Sequence, residues 1–405
     1  MISVSEATQT IRLRSAQRGT ESVSLTDSVG RVLANDIVAD TDLPPFDRSQ
    51  MDGFAVIAAD VESAPAELTI VGESAAGHGW HHKMSGGQTV RIMTGAPVPP
   101  GADSVQKIEL TSEASMVGDS GADSVTILQS VKLGANIVLK GAEIRSGERV
   151  FQSGERISPA MIASLAAFGY SDPEVFQRPK VAILATGSEI VDIRSSPGID
   201  QIRNSNAPML SALAEKCGAE SRILPLVDDD LDRLVDTIGK ALEECDVLII
   251  SGGVSVGKYD LTKPALSRLG ATLHFEKVRL KPGKPTVFAT LGDKLIFGLP
   301  GNPVSAAVTF ELFVRLALWA LQGARDTEMR RGTALLGTPV KAAKGRDTYL
   351  PASLSTDDKG HLIATPTRWQ GSSDFIGYSR AEALIVVEAD ARLESGDPST
   401  VLFLI

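Results

Sequence analysis

The segment that decides the fold runs from Asp246 to Trp319 and reads DVLIISGGVSVGKYDLTKPALSRLGATLHFEKVRLKPGKPTVFATLGDKLIFGLPGNPVSAAVTFELFVRLALW. It contains two short apolar runs, Val247 to Ile250 and Leu295 to Leu299. Each run ends in a glycine loop, SGGVSVGKYD or GLPGNP, that leads into the start of a helix. A basic segment, KVRLKPGKP, lies between the loops, and its prolines and glycine prevent a helix there. Two loops rich in backbone amides and a cationic strand at one sheet edge are typical of an oxyanion site.

The composition is that of a globular protein with one local basic exception. The 405 residues are 43% hydrophobic and 22% charged, which suits folding into about two to four domains. The net charge of -10 argues against nucleic acid as the main partner. Two cysteines, Cys217 and Cys245, argue against a disulfide framework or a cysteine metal site. No run approaches the roughly 18 apolar residues of a spanning helix, so we expect a cytoplasmic protein without a membrane partner.

The first part of the chain reads as helical material around a β segment. Residues from Val4 to Ala16 follow a loose helical pattern. A second helix is predicted from four apolar residues: Leu25, Val29, Val32 and Leu33. From Pro45 to Leu139, short strands separated by turn residues predict a small barrel or sandwich. A further helix is then expected, with Ser158 as its cap and Pro159 at its first position.

From Lys180 the chain alternates between strands and helices. Six apolar runs predict strands: VAILA at Val181, RILPL at Arg222, VLIIS at Val247, ATLHF at Ala271, TVFAT at Thr286 and LIFGL at Leu295. Two segments, Met209 to Cys217 and Leu231 to Leu242, have the apolar face of a helix. Such alternation predicts a mostly parallel sheet covered on both faces, with ligands at the carboxyl ends of its strands. After Gly323, strand-like pieces with turn signals predict a small β domain.

Three acidic residues follow three successive strands and are therefore expected at one rim of the sheet. Glu189 follows the first strand in ATGSE, Asp228 follows the second, and Asp260 closes the SGGVSVGKYD loop. Carboxylates grouped in this way suit Mg²⁺, which takes a few carboxylates together with water and phosphate. Each acid alone also suits a helix N-terminus, as a cap or a first-turn residue. The metal site therefore depends on the three acids lying together.

The glycine loops are weak signals when taken singly. SGGVSVG has neither the lysine and serine of a Walker loop nor the GxGxxG dinucleotide pattern, and a plain strand-to-helix turn also accounts for it. GLPGNP reads as a similar turn, with Asn302 as the helix cap and Pro303 at the first helical position.

The basic segment discriminates better. Lys277, Arg279 and Lys281 share one face of an extended chain, and Lys284 follows the Pro-Gly bend. An edge strand kept charged against aggregation would have the same pattern. The prolines on either side of the glycine fix the bend, which favours the binding of an anion.

Two loops of the β segment carry polar residues that composition alone does not assign. FDRSQMDGFAV places Asp52 at a turn, and RIMTGAPVPPGAD places Thr94 in a proline-rich loop. No histidine pair has convincing metal-ligand spacing, and no Ser-His-Asp arrangement can be argued.

Six motifs in order resemble the molybdopterin molybdotransferase family of molybdenum cofactor biosynthesis: FDRSQMDGFAV, RIMTGAPVPPGAD, ATGSE, SGGVSVGKYD, LKPGKP and GLPGNPVSA. The resemblance covers nearly the whole chain, and six motifs in order are far more specific than any one of them. It implies a multidomain α/β plus β protein. Four domains are expected: an elongated helical and extended N-terminal domain (residues 1–44 and 140–178), an inserted small β domain (45–139), a three-layer α/β molybdopterin-binding domain similar to the molybdopterin adenylyltransferases (179–325) and a C-terminal β barrel (326–405).

The resemblance also implies a reaction and partners. Family members insert molybdate into adenylylated molybdopterin in a Mg²⁺-dependent step that releases AMP. They form homodimers in which the β domain of one subunit faces the α/β domain of the other, and the small-molecule substrates bind in this shared cleft. A transient contact with a molybdopterin adenylyltransferase, which supplies the substrate, is also implied.

Position by position, the resemblance implies roles for residues of this chain. The implied catalytic residues are Asp52, Thr94, Glu189, Asp228, Asp260, Lys277 and Lys281, of which Asp52 and Thr94 come from the partner subunit. The implied cofactor-binding residues are Gly252, Gly253, Ser255, Lys284, Pro300, Asn302 and Pro303. The implied metal ligands are Glu189, Asp228 and Asp260.

The chain departs from the family pattern at two places. Residues 140–143 read Lys-Gly-Ala-Glu where the family commonly has Arg-Gly-Glu-Asp, and Ser188 stands in ATGSE where an aspartate is common. These departures leave the metal ligands, and the choice between molybdate and tungstate, open. Two alternative functions remain. The β domains argue against an adenylyltransferase, and the retained acids and lysines argue against a non-catalytic scaffold.

Overall fold

The computed structural model describes residues 1–114, 123–228, 230–253, 261–367 and 371–404. These residues form two compact units. The first comprises Met1–Asn35, Ser153–Pro159 and Asp172–Ile405, and the second comprises Asp36–Gln152 and Ala160–Ser171. This division into two units does not test the boundaries of the four domains that the resemblance implies, and those boundaries stay predictions.

The helices and strands are numbered in chain order through both units. The helices are α1 (Val4–Arg14), α2 (Pro159–Ala167), α3 (Asn206–Lys216), α4 (Leu231–Glu244), α5 (Thr262–Arg268), α6 (Pro303–Thr309), α7 (Arg315–Leu321) and α8 (Phe375–Tyr378). The strands are β1 (Thr20–Ser22), β2 (Ile37–Val38), β3 (Arg48–Ser49), β4 (Gly53–Val56), β5 (Ala66–Ser74), β6 (Gln88–Ile92), β7 (Ser104–Lys107), β8 (Ser124–Ile127), β9 (Ile137–Val138), β10 (Arg149–Phe151), β11 (Glu174–Phe176), β12 (Lys180–Ala185), β13 (Ile190–Val191), β14 (Ile202–Arg203), β15 (Glu220–Ile223), β16 (Val247–Ser251), β17 (Thr272–Phe275), β18 (Leu280–Lys281), β19 (Val287–Leu291), β20 (Lys294–Leu299), β21 (Arg331–Leu336), β22 (Val340–Lys341), β23 (Asp347–Thr356), β24 (Leu362–Pro366), β25 (Ala383–Val387), β26 (Arg392–Leu393) and β27 (Pro398–Phe403).

A six-stranded sheet forms the centre of the first unit. Its order is β15-β12-β16-β20-β19-β17, and β19 alone in this sheet runs against the other strands. Alternate residues of β12 point to opposite faces, so that Val181 and Ile183 pack with α3 while Ala182 and Leu184 pack with α4. The expected three-layer, mostly parallel α/β architecture is confirmed.

One long apolar helix runs through the core of this unit. It consists of α6, a π-helical turn at Phe310–Val314 and α7, and it extends over 19 residues from Pro303 to Leu321 with a mean hydropathy of 1.7. Its length and composition would suit a membrane span, so the expectation that no apolar stretch approaches that length is wrong for this helix, but 89% of its most apolar 18 residues are buried inside the protein. Helix α1 packs against the π turn and α7. The segment is therefore a core helix of the α/β unit.

A closed five-stranded barrel follows the α/β sheet. Its strands pair in the order β23-β24-β21-β27-β25, and β25 pairs back onto β23 to close the ring. The expected C-terminal barrel is thereby confirmed. The short strand β18 pairs with the first two residues of β23, with Lys281 opposite Thr348. The basic segment is therefore hydrogen-bonded to the barrel.

The second unit is built around a mixed sheet. The strand order among its described residues is β7-β4-β6-β5-β8, with β5 parallel to β6 and antiparallel to β8. The expectation of an inserted β domain is met. The chain just after β7 also bonds to β8 at the other end of this order, through the Thr111–Ile127 bridge, and the barrel or sandwich stays a prediction. Successive residues of β4 enter different apolar clusters, Phe54 and Val56 in one and Ala55 in the other. Both faces of β4 are therefore covered by apolar side chains, which turn spacing alone does not reveal.

The predicted helix over Leu25 to Leu33 does not form. A single 3-10 turn spans Thr26–Ser28, and Gly30 then takes a left-handed conformation with φ of +81°. Val32 and Leu33 are buried, and their backbones form bridges to Arg156 and Val175. The predicted helix is wrong because long-range backbone pairing holds the chain extended at Val32 and Leu33.

Candidate functional site

The two glycine loops meet at the carboxyl end of the sheet. The backbone N–H of Gly252 donates to Leu299 O at 3.1 Å, and the N–H of Thr186, just after β12, donates to Ser251 O at 3.1 Å. A Cβ placed on Gly301 would lie 3.8 Å from the Cα of Gly252. The ends of β12, β16 and β20 are thus in direct contact, as the parallel topology predicts.

Glycine is required at both positions of the first loop. Gly252 and Gly253 have φ angles of +95° and +63°. A Cβ on Gly252 would lie 2.5 Å from Thr186 O, and one on Gly253 would lie 3.0 Å from the hydroxyl oxygens of both Thr186 and Thr262. These two predicted cofactor-binding glycines therefore allow the backbone of the first loop to lie close to Thr186 and Thr262. The predicted residues Ser255 and Asp260 lie outside the described residues.

Asn206, the first residue of α3, bridges the two loops. Its Nδ2 donates to Ser251 Oγ at 2.8 Å and to Gly301 O at 2.7 Å. Within the described part of the chain, its Oδ1 is buried without a hydrogen-bond partner, and so are the hydroxyls of Thr186 and Thr262. None of these three residues was singled out from the sequence. The only sequence signal is the polar run RNSN between a strand and a helix, which also reads as an ordinary cap.

The second loop adopts the predicted turn with a different polar contact. Asn302 occupies the N-cap position and Pro303 the first helical position, while Pro300 is buried. The Asn302 side chain makes no cap hydrogen bond, and its Nδ2 donates to Ser372 Oγ at 2.6 Å. Ser372 O also accepts from Val304 N at 3.0 Å. Ser372 therefore supports this loop from a distant part of the chain, which sequence reasoning missed.

The basic segment alternates as predicted. Val278 and Leu280 are fully buried, whereas Arg279 and Lys281 are exposed and Lys277 is partly so. The predicted common face of the three cations therefore exists. The Lys281–Pro282 peptide bond is cis.

The turn after Lys281 packs on the helix that follows the second loop. A Cβ on Gly283 would lie 2.4 Å from Thr309 Cγ2 and 3.7 Å from Ser305 O, both of α6. In the described residues Lys281 and Lys284 form no ion pair, whereas Lys277 Nζ lies 3.7 Å from Glu276 Oε1. Two exposed and uncompensated cations thus sit on an element packed against the second loop's helix.

Two of the three predicted acids, Glu189 and Asp228, lie on neighbouring segments at the carboxyl edge of the sheet. Thr186 bridges Val227 in parallel, so Asp228 emerges beside the ATGSE segment that carries Glu189. Asp228 Oδ2 lies 3.0 Å from Arg233 Nη1. The cap of α4 is Asp230, whose Oδ1 accepts from Arg233 N at 2.9 Å, so the alternative reading of Asp228 as the cap is wrong. Among the described residues no three His, Cys, Asp or Glu side chains form a metal-binding group.

Asp52 and Thr94 of the second unit form one hydrogen-bonded pair. Asp52 Oδ1 accepts from Thr94 N at 2.7 Å and from Thr94 Oγ1 at 2.9 Å, and both residues are exposed. Local sequence patterns do not predict this contact, because the two residues lie 42 positions apart in the chain. At the site of the family departure, Lys140 Nζ lies 3.4 Å from Asp42 Oδ2. Glu143 Oε1 lies 3.3 Å from Arg48 Nη2, which gives this side chain a surface ion pair.

Comparisons with known proteins assign the chain to a family. Residues 2–169 match the MoeA N-terminal region (domain I and II), 182–319 match a probable molybdopterin binding domain, and 333–404 match the MoeA C-terminal region (domain IV). A protein of Bacillus subtilis (strain 168), "Molybdopterin molybdenumtransferase", is 35% identical over 410 residues, covering 100% of this chain and 94% of the relative. The chain belongs to the MoeA family. The resemblance carried by the six motifs is therefore confirmed.

Further MoeA relatives extend along the same length. "Molybdopterin molybdenumtransferase" of Staphylococcus aureus (strain COL) is 34% identical over 395 residues, covering 96% of this chain and 92% of the relative. A crystal structure of a molybdopterin biosynthesis moeA protein from Pyrococcus horikoshii OT3 aligns with a TM-score of 0.85 at 30% identity, covering 100% of both chains. The fold of this chain is thus that of a MoeA protein throughout.

Proposed function

We propose that this chain is a molybdopterin molybdotransferase, which inserts molybdate into adenylylated molybdopterin and releases AMP. The observation that carries the proposal is the contact between the two glycine loops, with the turn bearing Lys281 and Lys284 packed on the helix that follows the second loop. The relatives that bear the transferase name match nearly the whole length of the chain.

The charges of this arrangement suit an oxyanion and a phosphate held side by side. Exposed cations without a carboxylate partner attract molybdate without first breaking an ion pair. Lys281 and Lys284 would lower the energy of bringing molybdate beside the substrate phosphate, and the loop amides would orient both. The rigid backbone of the glycine loops fixes these groups before the substrates arrive.

Magnesium is the ion that the family implies, and the oxygen donors fit it. Mg²⁺ binds through one or two carboxylates together with water and substrate phosphates. Glu189 and Asp228 supply carboxylates from adjacent chain ends, and Asp260 would complete the set. Bound there, Mg²⁺ would polarise the phosphoanhydride for loss of AMP.

The second wall of the site is proposed to come from a second copy of the chain. Asp52 and Thr94 form a polar pair beside exposed apolar side chains: Phe46, Met93 and Leu139 are 40%, 36% and 63% exposed. Asp47 ties their three segments together, because its backbone O accepts from Val98 N and its Oδ1 accepts from Lys140 N. An apolar patch of this kind around a polar pair is typical of an interface.

Mixing two inactive variants tests the shared site. Asp52→Ala and Lys281→Ala should each leave a homodimer with on the order of a hundredth of the wild-type activity or less. In a randomly mixed population half of the dimers would be heterodimers with one intact site each, so activity should return to about a quarter of the wild-type value. Light scattering should give the mass of a dimer. No recovery from a mixture shown to contain heterodimers would place both residues in the same subunit's site.

The two alternative functions give different products. An adenylyltransferase would release pyrophosphate from ATP when molybdopterin is present, whereas the proposed enzyme would not. A scaffold would release neither AMP nor pyrophosphate.

A further inference from the structure

The amide of Asn206 links the two glycine loops beyond the last hydrogen bond between their strands. The loops share the backbone bond from Gly252 N to Leu299 O, and Nδ2 of Asn206 then joins Ser251 Oγ to Gly301 O. Gly301 O can only accept, so the atom facing it must be the NH₂ group. The orientation of this amide is therefore determined by its partners.

The oxygen of the Asn206 amide is poorly suited to a purely structural role. Asn206 is 9% exposed, and its Oδ1 is buried without a partner among the described residues. A buried acceptor that lacks a donor destabilises the folded state, so a residue kept for stability alone would avoid it. The hydroxyls of Thr186 and Thr262, on either side of Gly253, are unpartnered in the same way within the described part. Such groups gather where bound ligands supply the missing partners.

We propose that Asn206 is a positioning residue of the molybdate-insertion reaction, whose amide sets the separation of the two glycine loops. The inference rests on the proposed function. Gly301 leads directly into α6, and the turn at Gly283 packs on α6 at Thr309. A shift of the second loop would therefore also shift the turn that carries Lys281. The Asn206 amide thereby fixes the first glycine loop relative to the turn that carries Lys281.

Asn204 provides a matched control two residues away. It is the same residue type, it is 8% exposed, and its Oδ1 accepts from Ala207 N at 3.1 Å, which caps the same helix. Asn204→Ala removes that cap, whereas Asn206→Ala removes the bridge between the loops. Asn206→Asp keeps the shape of the side chain and removes both donors. A general loosening of the start of α3 would affect both positions alike.

Two readouts separate the bridge from a structural role. The first is the steady-state kinetics of molybdate-dependent AMP release by the full chain with adenylylated molybdopterin. The second is hydrogen exchange at the Gly252 amide, which needs no activity. Asn206→Ala and Asn206→Asp should lower kcat/KM on the order of 10²-fold and speed exchange at Gly252. Asn204→Ala should lower the melting temperature to a similar or greater extent with kinetics and exchange close to wild type.

The results also separate this inference from the proposed function. Wild-type-like kinetics and exchange in Asn206→Asp would overturn the positioning role, and so would equal losses in Asn204→Ala. If the wild-type chain released no AMP, the proposed function would fail. The exchange at Gly252 would then decide by itself whether Asn206 holds the loops.

Discussion

Replacing Gly252 with alanine tests whether the site depends on close backbone approach. The φ of +95° at this position is unfavourable for an alanine, and the added Cβ would lie 2.5 Å from Thr186 O. The obstructing atom is backbone at the end of a central strand, so it cannot rotate away as a flexible side chain would. Gly270 is the control, because its φ is +76° and nothing lies within 4 Å of its Cβ position.

The two substitutions share one energetic term and differ in another. A left-handed alanine costs about 1–2 kcal/mol at either position. Overpacking adds about 1–3 kcal/mol at Gly252 alone. A change of 1 kcal/mol corresponds to about 2–4 °C for a unit of this size, so Gly252→Ala should melt about 2–12 °C below Gly270→Ala.

Calorimetry and AMP release together provide the assay. Gly252→Ala should lose molybdate-dependent AMP release, because the first loop must move away from Thr186 to admit the methyl group. Gly270→Ala should retain it. Equal melting temperatures and retained activity in Gly252→Ala would refute the view that the two loops are built on this backbone contact.

Other expectations are tested more simply. Lys281→Ala should lower molybdate-dependent AMP release about 10²-fold with a stability change within about 0.5 kcal/mol, and unchanged turnover would remove Lys281 from the site. Glu189→Gln should raise the Mg²⁺ concentration needed for half-maximal AMP release, and an unchanged requirement would exclude it as a ligand. Burial raises the pKa of Glu311 above its ordinary value of 4.5, an effect that Arg315 partly offsets. The folded chain therefore keeps a proton that the unfolded chain loses as the pH rises above 4.5, and this acid destabilises the fold at higher pH. Glu311→Gln should accordingly melt higher than wild type at pH 8 with the difference vanishing at low pH, and a lower melting point at pH 8 would contradict this. Burial raises the pKa of Cys217 to about 12, so iodoacetamide should label it only after unfolding, and rapid labelling of the folded chain would show that the thiol is accessible.

Local patterns predicted the elements that carry the site. The apolar runs of β12, β16 and β20 are buried on both faces, and such strands have a composition that identifies them without any tertiary knowledge. Parallel strands place their carboxyl ends at one edge, so the meeting of the SGG and GLPG loops followed from topology. The alternation of Lys277, Arg279 and Lys281 followed from the period of an extended chain.

Contacts between distant parts of the chain could not be predicted in this way. Asn206 reaches Ser251 and Gly301 across 45 and 95 residues, and Asn302 reaches Ser372 across 70. No spacing rule encodes such pairs, because each depends on where the fold brings two loops. The helix predicted over Leu25 to Leu33 failed for the same reason, since the backbone partners of Val32 and Leu33 lie far along the chain.

The most direct test of the proposed function is a single-turnover reaction of the purified chain with adenylylated molybdopterin and Mg²⁺, with and without molybdate. AMP should be released in amounts equal to the bound substrate, and only when molybdate is present. AMP release that does not depend on molybdate, or its complete absence with a substrate shown to bind, would contradict the assignment.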